Sequence, residues 1–173
     1  MAELNQIKHY DKLYAAGYAF DRYNEIYETA ARLCKGRVLD CGCGLGQMNH
    51  YLKNYAGFDG SNVAIKKSLS EKTFVCNLYN PKCYKNADTY LFLEVLEHVD
   101  DIRVLNLVPP GKTIVFSVPS FKCYEHVRTY TLAGLDFLPV EIKKHYRFNW
   151  HKGWTKRKPD TEDYILLCKG VKL

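Results

Sequence analysis

The chain has 173 residues, of which 47% are hydrophobic and 25% charged, with a formal charge of +6. This is an ordinary balance for a soluble globular protein, and the length suits one domain with a proper buried core. No run approaches the roughly 20 apolar residues that span a bilayer, so no membrane partner is expected.

The opening stretch "MAELNQIKHYDK" is polar and lacks the apolar core of a secretory signal, which makes the cytoplasm the expected location. Seven cysteines (Cys34, Cys41, Cys43, Cys76, Cys83, Cys123 and Cys168) are scattered without a CxxC pair, which argues against a zinc knuckle. They are expected to be reduced and to pack as small hydrophobes.

Residues 1–35 are the expected N-terminal helical cap, read as helical over 3–35, with Ile26, Ala30 and Leu33 at three- and four-residue spacing and Gly36 ending the last turn. "RVLDC" reads as a short buried strand, and "LGQMNHYLKN" after it as a helix carrying Met48, Tyr51 and Leu52. "YAGFDGS" is a second strand ending at Asp59, followed by a helix in "NVAIKKSL". The alternation continues with "TFVCNL" (strand), a turn around Pro81, "ADTYLFL" (strand), "EVLEHVDDIRVLNL" (helix) and "GKTIVFSVP" (strand). Strands alternating with helices imply an α/β fold, a doubly wound and mostly parallel sheet. "VEIKKHYRFNW" and "DYILLCKGVKL" then suggest a closing antiparallel hairpin around a basic loop. No repeat or linker divides the chain, so residues 1–173 read as a single domain.

The glycines of "VLDCGCGLG" sit where a doubly wound sheet binds its ligand, at the carboxyl end of the first strand. A dinucleotide fingerprint needs a third glycine at position 47, which is Gln47, and no phosphate-loop lysine follows. Asp40 adds a negative charge, unwelcome to a diphosphate and well placed for an ammonium. Together, "VLDCGCGLG", "GFDGS", "FVCNL", "LFLEVLEHV" and "IVFSVP" resemble the successive motifs of class I S-adenosylmethionine-dependent methyltransferases, in order, over residues 36–135.

That resemblance implies S-adenosylmethionine as cofactor and a role for each matching residue. Asp40, Gly42, Cys43 and Gly44 would border its methionine part, with Gly46 letting the next helix pack closely. Asp59 would bind the ribose hydroxyls, Gly60 and Ser61 would follow the adenosine, and Asn77 and Leu78 would lie beside adenine. Glu94 would face the cofactor amine. In the family the N-terminal helix lies over the pocket, so Tyr14, with Tyr10 or Arg22, could close it. Tyr10, Tyr14 and Tyr18 recur every fourth residue, with Tyr23 and Tyr27 beyond, a stripe that packing alone also explains.

The acceptor signal lies in "LFLEVLEHV". It lacks the D/N-P-P-Y/F signature of amino-methylating nucleic-acid enzymes and resembles enzymes acting on small molecules, sugars or the ribose hydroxyls of small RNA ends. The expected reaction is methyl transfer to an O or N nucleophile of a small metabolite or sugar-like acceptor. Glu97, His98 and His126 are the candidate catalytic groups, with Glu94, Glu97 and His98 expected on one helical face. In some relatives with E-x-x-E-H and a later histidine, the positions of Glu94, Glu97, His98 and His126 hold a divalent metal such as magnesium or manganese. The alternative that Glu94 only orients the cofactor while Glu97 and His98 support the helix stays open. So do an RNA acceptor, favoured by the basic "HYRFNWHKGWTKRKP", and a cofactor-binding protein without catalysis.

Overall fold

The computed structural model describes residues 7–17, 21–151, 153–158 and 161–173. Eight strands form one sheet: β1 (Val38–Cys41), β2 (Tyr55–Asp59), β3 (Thr73–Val75), β4 (Thr89–Leu93), β5 (Thr113–Pro119), β6 (Val140–Trp150), β7 (Trp154–Thr155) and β8 (Tyr164–Lys172). Their order is β3-β2-β1-β4-β5-β8-β6-β7. The first five pair in parallel, and β8 runs antiparallel to β5 and β6. The expected α/β architecture and its closing hairpin are both present.

Burial explains why the central parallel strands read as mostly apolar runs. All four residues of β1 and all seven of β5 are buried, because the sheet is covered on both faces. Successive side chains alternate between the two layers: Tyr90 and Phe92 enter one and Leu91 the other, as do Phe116 and Val115. Helix α2 (Asn24–Leu33) covers the second layer with Ile26, Tyr27, Ala30 and Leu33, the spacing visible in the sequence.

The helices between strands are shorter than their periodicity suggests. The N-terminal helical cap is two helices, α1 (Ile7–Ala15) and α2, with a 3₁₀ turn at Asp21–Tyr23 before the second. Tyr18, in the expected tyrosine stripe, lies outside the described residues, as do residues 1–6 of the cap. After β1 only one 3₁₀ turn forms, at Gln47–His50, entered from Gly46 in the left-handed region at φ 74°. After β2, α3 spans Asn62–Lys66 alone. After β4 the expected long helix is broken: a 3₁₀ turn covers Leu96–His98, Val99 is extended, and Asp100 caps a new helix α4 (Asp101–Leu105) by accepting from the Arg103 N–H. Glu94, Glu97 and His98 therefore share no α-helical face, contrary to the spacing argument. No helix among the described residues is long and apolar enough to cross a membrane.

The expectation of seven reduced cysteines is corrected at one place. Cys76 and Cys83 are joined in a disulfide across the turn at Pro81–Cys83, while Cys34, Cys41, Cys43, Cys123 and Cys168 are thiols. The spacing shows no motif because the turn, not the sequence interval, brings the pair together. Alkylation under denaturing conditions should therefore label five cysteines without reductant and seven after reduction, counted by intact-protein mass.

Candidate functional site

The site forms where β1, β2 and β4 end. Gly42 follows β1 with φ 82°, and a Cβ there would lie 2.8 Å from a Val95 methyl. Gly44 has φ 53°, and its missing Cβ would lie 2.7 Å from the Tyr14 hydroxyl. Positive φ is open to glycine at no steric cost, so this turn can pass beneath α1. The Gly44 N–H donates to Asp59 Oδ2 at 2.9 Å and the Ser61 N–H donates to Oδ1 at 2.8 Å. Asp59 thus ties the turn after β1 to the turn after β2. Burial raises its carboxyl above the usual range, against the pull of these two N–H donors.

Helix α1 lies over this edge without burying any residue of its own. Asp11 accepts from the Ser61 hydroxyl at 2.5 Å, and the Lys67 ammonium donates to the carbonyls of Tyr14 and Ala15. At the far side the His9 Nε2 pairs with Glu125 at 2.6 Å. Two adjoining cavities open beneath, of about 330 Å³ and 220 Å³. Asp59, Gly60, Ser61, Asn77 and Leu78 line the larger. Asp40, Cys43, Gly44, Glu97 and His126 line the smaller, and Tyr10, Tyr14, Gly42, Glu94 and His98 line both.

Most of the expected cofactor residues therefore converge, with four refinements. Gly46, expected among the cofactor residues as the glycine that lets the next helix pack closely, lines neither cavity; a Cβ there would meet the Ser68 hydroxyl at 2.8 Å. The Ser61 hydroxyl caps α3 by accepting from the Ala64 N–H as well as binding Asp11. Asn77 Oδ1 accepts from the Tyr79 N–H, leaving its amide NH2 as the group able to donate to a ligand. Arg22 lines neither cavity; its guanidinium lies over the Trp150 ring, 5.6 Å from the centroid.

Asp40 is buried, accepts from the Tyr55 hydroxyl at 3.1 Å, and is pushed up to about 7 by desolvation. Glu94 stands between the cavities at φ 54°, the one non-glycine with positive φ among the described residues. Its conformation is held twice by buried Ser117: the Glu94 N–H donates to Oγ at 2.9 Å, and the hydroxyl donates back to Oε1 at 2.6 Å. Burial pushes its carboxyl up to about 7 as well.

Glu97 is fully buried, and neither carboxylate oxygen has a hydrogen-bond partner among the described residues. Desolvation, then the Glu94 charge, raise its carboxyl well above the ordinary value. His98 Nδ1 donates to the Glu125 carbonyl at 3.0 Å, which puts the Nε2 lone pair 3.7 Å from Glu97 Oε1, and burial lowers its imidazole to about 4. His126 Nδ1 donates to the Phe121 carbonyl at 3.0 Å. The loop bearing His126 reaches Glu97 because the Val127 N–H donates to the Glu97 carbonyl at 2.7 Å.

One donor atom from each of Glu97, His98 and His126 lies within 4.8 Å of the others. The expected four-residue set is corrected to these three: Glu94 is outside the cluster, its Oε1 engaged by Ser117. Sequence reasoning missed Ser117, Phe121 and Glu125. A serine inside the apolar run "TIVFSVP" was the one legible signal, because a buried hydroxyl needs a partner.

No family model matches the chain, and no curated protein sequence does. Solved structures do. The N-methyltransferase NodS from Bradyrhizobium japonicum WM9, with S-adenosylhomocysteine bound, superposes at TM-score 0.70 with 14% identity over 96% of this chain and 97% of that one. The 1,6-didemethyltoxoflavin N1-methyltransferase of Burkholderia thailandensis, with its substrate and S-adenosylhomocysteine, gives TM-score 0.68 and 15% identity over 96% and 86%. The [4+2]-cyclase SpnF gives TM-score 0.68 and 13% identity over 95% and 94%. The fold is that of S-adenosylmethionine-dependent methyltransferases, and it carries more than one chemistry.

The buried acids give the fold a pH dependence of definite sign. Asp40 holds its proton more tightly folded than unfolded, so its favourable contribution is complete below about pH 4. That contribution is lost as pH rises through about 7. Asp40→Asn should therefore stabilise the protein at pH 8 relative to wild type and flatten the fall in urea midpoint between pH 5 and 8.

Proposed function

We propose that the chain is an S-adenosylmethionine-dependent methyltransferase acting on an O or N nucleophile of a small metabolite or sugar-like acceptor. The observation that carries this reading is the continuity of the two cavities. They run from Asp59 and Asn77 at one end to Glu97 and His126 at the other, sharing Tyr10, Tyr14, Gly42, Glu94 and His98 between them. Adenosine suits the first end: Asp59 still has lone pairs for ribose hydroxyls, and Asn77 an NH2 for the adenine edge. The methionine part suits the middle, where Asp40 and Glu94 can accept from its ammonium. S-adenosylhomocysteine bound in two of the similar structures supports the assignment.

Methyl transfer would proceed by in-line attack of the acceptor on the methyl carbon as the carbon–sulfur bond breaks. Holding the partners in attack geometry supplies most of the rate. An alcohol or phenol must also lose its proton. Glu97 is fully buried and His98 packs edge-on to Tyr10, which leaves half-buried His126 best placed to take that proton.

Glu97, His98 and His126 also fit a divalent cation such as magnesium or manganese. A buried carboxylate without a hydrogen-bond partner among the described residues and two imidazoles, each oriented through Nδ1 by a backbone carbonyl, are the arrangement that metal ligation uses. A bound ion would supply Lewis acidity that orients an acceptor hydroxyl and eases its deprotonation.

Calorimetry tests the cofactor assignment. S-adenosylhomocysteine should bind one-to-one and NAD should not. Asp59→Ala should weaken binding roughly 10- to 100-fold, the loss of hydrogen bonds to a charged acceptor. Gly44→Val should abolish binding, since its side chain would drive Tyr14 away from the turn. Chelation tests the cation. Excess chelator should stop turnover without displacing the cofactor, and manganese should restore it. Full activity in chelator would leave His126 as a metal-free base.

A further inference from the structure

The surplus of positive charge in this chain has one address. Residues 140–158 hold seven of the 25 lysines and arginines and one of the 19 acids, so this segment accounts for the whole formal charge of +6. It comprises β6, β7 and the start of the loop before β8, and none of its described residues lines either cavity. Among the described residues Lys144, Arg147, Lys156 and Arg157 form no ion pair, whereas Lys143 pairs with Glu141. Two acids of α2 reach this region and are occupied. Glu25 accepts from the Lys156 backbone N–H at 3.3 Å, and Glu28 lies 3.9 Å from the Arg32 guanidinium.

On the face of β6 turned to α2, three cations converge on one phenol. The Lys144 and Lys156 ammonium groups lie 5.1 Å and 4.7 Å from the Tyr146 ring centroid. Arg32 joins them from α2, where Thr29 Oγ1 accepts from the Lys156 ammonium at 3.1 Å and from the Arg32 guanidinium at 3.0 Å. A hydrogen bond from Lys144, with the charges of Lys144, Lys156 and Arg32, lowers the Tyr146 phenol below its ordinary value. Like charges gathered this closely repel one another, and a bound anion removes that cost. Aromatic rings continue along the same face: half-buried Tyr146, buried Phe148 and half-buried Trp150 enter one layer, and the Arg22 guanidinium lies 5.6 Å from the Trp150 centroid. From Lys144 to Trp150 this track extends about 20 Å. On the other face of the strand Arg147 lies 4.0 Å from the Tyr164 ring centroid.

Lysines on an open edge strand also guard it against pairing with another chain. β6 is such a strand, because β7 pairs with it only at Asn149 and Trp150. Edge protection does not call for cations off the strand, and Lys156, Arg157 and Arg32 stand on the next loop and on α2. An acidic peptide would satisfy the cations alone. Aromatic rings set between the cations are what a single strand of nucleic acid uses, since its phosphates need the charges and every base offers a flat face.

We propose that this face of the hairpin binds single-stranded nucleic acid, with Lys144, Lys156 and Arg32 on its phosphates and Tyr146 and Trp150 beside its bases. The surface lies outside both cavities, and the proposal does not rest on the methyltransferase reading.

The test uses the full chain without cofactor and follows the anisotropy of labelled oligouridine and oligothymidine, with labelled polyglutamate of equal charge as the comparison. Both oligonucleotides should bind, and polyglutamate at least ten-fold more weakly. The logarithm of affinity should fall with the logarithm of salt at a slope of about −2 or steeper, the release of ions from three or more phosphates. Lys144→Glu combined with Lys156→Glu should weaken oligonucleotide binding at least ten-fold. Lys66→Glu combined with Lys72→Glu changes the charge equally beside the opposite edge of the sheet, and should weaken it less than three-fold. Circular dichroism checks that each variant folds; should the first fail, Arg147→Glu with Arg157→Glu makes the same comparison. Absence of oligonucleotide binding at low salt would overturn the proposal. So would polyglutamate binding as tightly as the oligonucleotides, or equal losses in the hairpin and control variants.

Discussion

The site depends first on one carboxylate. Asp59 accepts from the N–H of Gly44 with one oxygen and of Ser61 with the other, so the turns after two neighbouring parallel strands share an anchor. Each strand end alone would leave N–H groups needing a partner at a half-buried edge. Satisfying both through one side chain fixes the glycine turn against the second strand before any ligand arrives. The same Ser61 then reaches Asp11, which carries the constraint into α1. The roof over the cavities is thus connected to their floor through polar contacts, and α1 needs no buried face to stay in place.

At the other end, burial does the organising. Glu97 is fully enclosed without a hydrogen-bond partner among the described residues, a cost that ordinary cores avoid. The surroundings hold it there: the Val127 N–H binds its backbone carbonyl, and Tyr130 binds the Leu96 carbonyl and buried Asp101. These contacts pull the loop after β5 over the end of β4. His126 arrives with it, its imidazole turned by the Phe121 carbonyl, and Phe121 is steadied by Trp154 from the closing hairpin. The hairpin thus does more than finish the sheet. It supports an aromatic wall of the cavity from outside.

The strands were legible because their causes are local. A parallel strand covered on both faces is buried along its whole length, as β1 and β5 are, so it is mostly apolar and legible, and a glycine-rich turn after it needs little context. The helices were less legible. Apolar spacing ran continuously through "EVLEHVDDIRVLNL", yet Asp100 caps a fresh helix in its middle and Val99 is extended. Periodicity registers which residues face inward and does not register that the chain changes direction between them. The Cys76–Cys83 pair was hidden for a similar reason, since only the turn at Pro81 brings the two sulfurs together.

By itself, the sequence determined the sheet, its glycine turn, the acid at the end of the second strand and the residue types of the candidate chemistry, because each follows from neighbours along the chain. The tertiary structure decided which of those residues meet. It put Glu97, His98 and His126 into one cluster and left Glu94 with Ser117, a partner 23 residues away. It also kept every described lysine and arginine out of the cavities of a chain with net charge +6, a sorting that composition cannot express. Both outcomes depend on contacts between segments distant in sequence, where packing and the cost of burying charge, rather than local pattern, select the partner.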